Sequence, residues 1–130
     1  MKHLTLLTTI ALVAVLNTPS AAQRSMAATY RLSETRAIEG TVVQVAFRAP
    51  GAYVHVEAPD QDGVMHRWSL FWSDGNRPVR YGVTRTTLRV GDRIRVVGHP
   101  GRNPETYQLL IVRMTRAADG WTWRNDSSDS

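Results

Sequence analysis

A small all-β barrel is the fold class this sequence predicts, and three observations predict it. Short runs of alternating apolar and polar residues recur along the chain, and strong turn signals separate them. Cysteine is absent, so no disulfide framework holds the chain and a hydrophobic core must do so. The 130 residues leave room for one domain.

Residues 1–22 have the layout of an export signal. Lys2 and His3 give a basic front, residues 4–16 are mostly apolar, Pro19 breaks the run, and Ser20-Ala21-Ala22 supplies the small residues a signal peptidase accepts. A bilayer span needs about 20 apolar residues, and this run falls well short. The expectation is cleavage before Gln23, a periplasmic or secreted product, and no transmembrane span afterwards. Residues 23–36 lack clear periodicity and are expected to be a linker, and residues 125–130 a disordered polar tail. The folded unit is then 37–124.

Its first strand is expected at 41–48, with Val43, Val45 and Phe47 on one face and Gln44 and Arg48 on the other. Ala49-Pro50-Gly51 ends it. A second strand, 53–57, alternates Val54 and Val56 against Tyr53, His55 and Glu57, and Asp60-Gln61-Asp62-Gly63 turns it into a third at 64–72. Pro78 and Gly82 bracket one short helical turn at 79–82. A turn at 88–92 leads into a fourth strand at 94–98. After a Pro/Gly/Asn loop, with His99 expected in it, comes a fifth at 107–114. Three strands, a short helical connection between strands 3 and 4, then two strands suggest a five-stranded Greek-key barrel of the oligonucleotide/oligosaccharide-binding (OB) type. Gly120-Trp121-Thr122-Trp123 is expected to add an edge strand or to fold back as an aromatic flap.

Lys2 is the only lysine, so the segment after the signal carries fifteen arginines against eleven acidic residues, a net of about +4. That balance attracts anionic partners, and arginine's planar fork fits carboxylate or phosphate. Solvated surface charge is the simpler explanation of the same numbers.

From about residue 38 to 123 the chain resembles a family of small exported bacterial proteins with an uncharacterised OB-like domain of unknown function. Glu39-Gly40-Thr41-Val42, Trp68, Gly82-Val83-Thr84-Arg85, and Leu88 through Gly91-Asp92 to Gly98 carry the resemblance. These are mostly turn and core residues, so the resemblance implies a fold and not a chemistry. Members of that family often show Asn-Pro-His between the first two strands and an acidic residue just after the tryptophan; here Ala49-Pro50-Gly51 and Ser69-Leu70 stand in those places.

No nucleophile elbow, phosphate loop or His-Glu-x-x-His pattern occurs, and an enzyme is not expected. No cofactor is called for. OB-type barrels bind on the open face of their second and third strands, where aromatics stack and arginines meet anions. Tyr53, His55, Arg67, Trp68 and Trp72 are therefore the candidate ligand residues. The alternative is a metal site of His55, Glu57 and His66, which one register of the hairpin would bring onto one face; a one-residue slip instead sends Val54 and Val56 into the core with Trp68 and Leu70. The expected role is a noncatalytic binding or accessory module for an envelope ligand, anionic or a sugar, or for a protein partner. Nucleic acid is disfavoured by the compartment.

Overall fold

The computed structural model describes residues 21–48, 51–73 and 87–125. Among the described residues six strands follow one α-helix, with a single 3-10 turn (Pro104–Thr106) before the fifth strand: α1 (Ala21–Thr29), β1 (Arg36–Arg48), β2 (Gly51–Pro59), β3 (Met65–Trp72), β4 (Arg93–Pro100), β5 (Gln108–Arg116) and β6 (Thr122–Arg124). β1 to β3 form an antiparallel meander, β4 pairs with β1 and β5, and parallel pairing of β3 with β5 closes a five-stranded barrel. β6 hangs on the outer side of β5. This order is consistent with the OB type. The signal segment and the helical turn expected at 79–82 lie outside the described residues.

β1 is long because it serves two partners. Arg36 to Thr41 pair with β4 and Thr41 to Arg48 with β2, and the strand must bend between them. Gly40 sits at that corner, where a Cβ would overlap the Glu57 carbonyl and come within 2.8 Å of the Ala58 Cβ. Only glycine lets the two backbones approach so closely. A bulge follows between Val42 and Gln44. It corrects the expected facing: Val42 is the fully buried residue, Val43 is the extra one, and Val45 and Phe47 pack against the core beyond it.

The β2–β3 register is set by the turn. The Asp60 carboxylate accepts from the Asp62 and Val64 amides at 2.9 Å each, and the Asp60 amide donates to the Val64 carbonyl. Val54 then faces Leu70 and Val56 faces Trp68, and all four are buried. Trp72, Ile94, Val96, Leu109, Ile111 and Met114 belong to the same core. β4 extends past its expected end, so His99 belongs to that strand and not to a loop; its Nδ1 donates to the Glu34 carbonyl at 2.7 Å.

Residues 23–36, expected to be a linker, are structured through most of their length. α1 covers the first half of the stretch, the expected cleavage point falls in its first turn, and buried Tyr30 bridges to Gly101. The Arg31 amide donates to the Pro100 carbonyl, the Arg102 amide to the Thr29 carbonyl, and Arg102 Nε to the Ala27 carbonyl. One aromatic anchor and three backbone acceptors dock this stretch without any periodic pattern.

Trp121 and Trp123 realise both expectations for the C-terminal segment. β6 pairs with β5, while the buried Trp123 ring meets Trp72 edge-on at 5.6 Å. Arg116 holds this end together: it donates to Asp119 at 3.0 and 2.8 Å, to Asp92 at 3.2 Å and to the Thr87 carbonyl, and lies 5.3 Å over the Trp121 ring. The Arg116 hydrogen bonds, helped by the Trp121 amide, lower the Asp119 carboxyl from its ordinary value to about 2. A carboxyl whose pKa is depressed by folding stabilises the fold above its unfolded value and loses that contribution as pH falls through the folded one. Stability is therefore expected to drop as pH falls from about 4 to about 2. Denaturant melts across that window should show the slope flattened in Asp119→Asn.

Candidate functional site

Strand alternation sorts the candidate residues by parity. On β2 and β3 the odd-numbered residues Tyr53, His55, Glu57, Arg67, Ser69 and Phe71 share the outer face, and the even-numbered ones face the barrel interior. Tyr53, His55 and Arg67 are thus brought together as expected. Trp68 and Trp72 are not: each is 1% exposed and belongs to the core, which removes them from the candidate ligand face. The Trp68 indole donates to the Ala58 carbonyl at 3.1 Å, and Arg36 covers its ring at 5.2 Å.

The metal set is also divided. His55 is opposite Ser69 and Glu57 opposite Arg67 on the outer face, whereas His66 is opposite Ala58 on the inner one. His66 Nε2 instead meets Asp60 Oδ2 at 2.8 Å, and its ring stacks on Tyr107 at 3.8 Å. The Val64 amide, joined by His66 and the Asp62 amide, holds the Asp60 carboxyl below its usual value against the opposing effect of burial. Asp60 and His66 thereby clamp the turn that fixes the hairpin register. Among the described residues no group of three or more His, Asp or Glu is placed to hold a metal ion.

The outer face is built in rows across three strands: Ala46, Tyr53 and Phe71; then Gln44, His55 and Ser69; then Thr41, Glu57 and Arg67. Arg67 leans diagonally over β2 and donates to Gln44 Oε1 at 2.6 Å, so its guanidinium spans the ground beside His55. Tyr53 is 38% exposed, and its ring rests on Phe71 at 5.1 Å. Gln44, Ala46, Tyr53 and His55 line an open depression of about 220 Å³. Gln44 faces away from Val45 and Phe47 as expected, but Gln44, Ala46 and Phe71 were not named as site residues, since only the pairing of β1 and β3 with β2 sets them beside Tyr53 and His55.

Burial pushes the Tyr30 phenol up to about 12, and the Tyr53 phenol adds to the shift. Chemically, the face offers an aromatic platform, an imidazole and a guanidinium held by an amide in successive rows of one sheet face. Such a set can stack a ring and hydrogen-bond the polar groups around it.

Fold and face together define a small closed β-barrel with an open aromatic and arginine surface on its first three strands. The chain belongs to DUF6152, a family of unknown function whose profile matches residues 11–110. No curated protein and no solved structure matches it.

Proposed function

We propose that this protein is an exported, noncatalytic binding module that holds an envelope ligand, a sugar or an anionic group, on the outer face of β1 to β3. One observation carries the proposal: Tyr53, His55 and Gln44 line a single open depression, and Arg67 reaches its Gln44 edge, while the tryptophans go to the core. An exposed tyrosine beside an arginine held in place by an amide is the pairing that grips a ring and its charged or hydroxyl substituents. The export signal supports the envelope as the place of action. Intact mass of the protein recovered from the periplasm or medium is expected to begin at Gln23.

The binding test is calorimetric titration with soluble peptidoglycan fragments and acidic cell-wall oligosaccharides. A ligand bound by the parent is expected to bind at least tenfold more weakly to Tyr53→Ala and to Arg67→Ala, a loss of about 1.4 kcal/mol or more in each. Binding that survives both changes contradicts the proposal, and a panel with no binder at all turns the reading toward a protein partner.

A further inference from the structure

The opposite side of the barrel carries a cluster that the β1–β3 face does not use. β4, β5 and β6 present their outward residues in two rows, Arg95, Thr115 and Thr122 in one and Val97, Arg113 and Arg124 in the other. Arg113 and Arg124 are direct cross-strand partners, and Arg95 lies diagonal to Arg113. Directly opposed side chains on one sheet face have Cβ atoms about 5 Å apart, and like charges so placed destabilise the sheet. All three arginines are exposed, and no carboxylate among the described residues forms an ion pair with them. Glu39, the acidic residue opposite Arg95, is bridged to Arg93 at 3.4 Å.

The Thr115 and Thr122 hydroxyls beside the arginines are bonded within the protein, Thr115 to Thr122 at 3.1 Å and Thr122 to the Gly120 carbonyl at 3.1 Å, so the arginines are the donors this surface leaves open. Glu39, Arg95, Val97, Arg113, Thr115 and Ala117 line a hollow of about 380 Å³ on this surface. We propose that it is a phosphate-binding site, in which the forks of Arg95 and Arg113, joined from the edge of the hollow by Arg124, share one tetrahedral oxyanion. Arginine meets phosphate with paired N–H donors, and an anion between Arg113 and Arg124 turns their repulsion into attraction. The phosphate can be free or the headgroup of an anionic lipid. This site is independent of the β1–β3 face, so either can fail without the other.

The test uses the folded protein, with Arg113→Gln and Arg124→Gln as variants and Arg31→Gln as a control of equal charge change. Inorganic phosphate is expected to raise the parent's Tm above that in chloride at matched ionic strength. Its Kd should weaken about tenfold in both variants and stay unchanged in Arg31→Gln. In chloride the two variants should melt no lower than the parent, because each relieves a like-charge pair. Cosedimentation with phosphatidylglycerol vesicles but not phosphatidylcholine vesicles, lost in the variants, assigns the phosphate to a lipid headgroup; phosphate binding without cosedimentation assigns it to the free ion. Phosphate that stabilises no better than chloride, or equally in parent and variants, overturns the proposal, as does a lower Tm of the variants in chloride.

Discussion

Gly40→Ala is expected to cost about 3 kcal/mol or more of stability, a large part of the 5 to 15 kcal/mol that typically separates folded from unfolded domains. The added methyl has nowhere to go. It would overlap the Glu57 carbonyl, and backbone held in a ladder cannot swing aside as a side chain would. Relief requires β1 and β2 to part at the corner where β1 changes partner from β4 to β2, which opens the barrel. Gly63→Ala is the contrasting case. That residue has φ +81° but open space around its Cβ position, so the expected penalty is only that of a strained turn, about 1 kcal/mol. Urea melts of the two variants separate the causes: a large drop in midpoint of the first beside a modest shift of the second is the expected pair of results.

Trp68→Ala is expected to destabilise the fold by about 4 kcal/mol. Three losses combine. The indole is 1% exposed, so its removal leaves a large cavity among Val56, Leu70 and their neighbours. The Ala58 carbonyl loses its donor, and Tyr107 and Arg36 lose the ring they pack against at 5.3 and 5.2 Å. Trp68→Phe keeps much of the volume but still strands the Ala58 carbonyl, at a cost of about 1 to 3 kcal/mol. Thermal melts should therefore rank parent, Phe and Ala in that order. A Trp68→Ala variant with unchanged Tm would mean that the side chain is a surface group after all.

The fold was legible from residues whose local chemistry has one outcome. Asp60 to Gly63 can only turn, and once they turn, the alternation of Val54 and Val56 with Trp68 and Leu70 leaves one register that buries all four. What escaped was non-local. The bulge that places Val42 inside depends on where the Gly91–Asp92 turn bonds to β1, since the Val42 amide and carbonyl pair with Asp92 and Gly91. α1 and Tyr30 have no pattern of their own and are held by acceptors and donors about 70 residues away, such as Arg102.

The same division runs through the candidate site. Tyr53, His55 and Arg67 share strand parity and could be grouped from sequence; Trp68 and Trp72 have the opposite parity, which should have excluded them from that face once Val54 and Val56 were taken as core. His66 is inner by parity but sits at the end of β3 nearest the turn, where Asp60 can reach it. The arginines of β4, β5 and β6 become neighbours only through pairings of residues 95 with 115 and 113 with 124, and nothing in their spacing announces it.

The most direct test of the central claim, that recognition takes place on the outer face of β1 to β3, is amide chemical-shift mapping. The labelled protein would be titrated with whichever soluble peptidoglycan fragment or acidic oligosaccharide binds it. The account predicts that the largest shifts fall on Gln44, Ala46, Tyr53, His55 and Arg67. Shifts centred instead on the Asp60, His66 and Tyr107 end of the barrel, with the Tyr53 row unmoved, would contradict it.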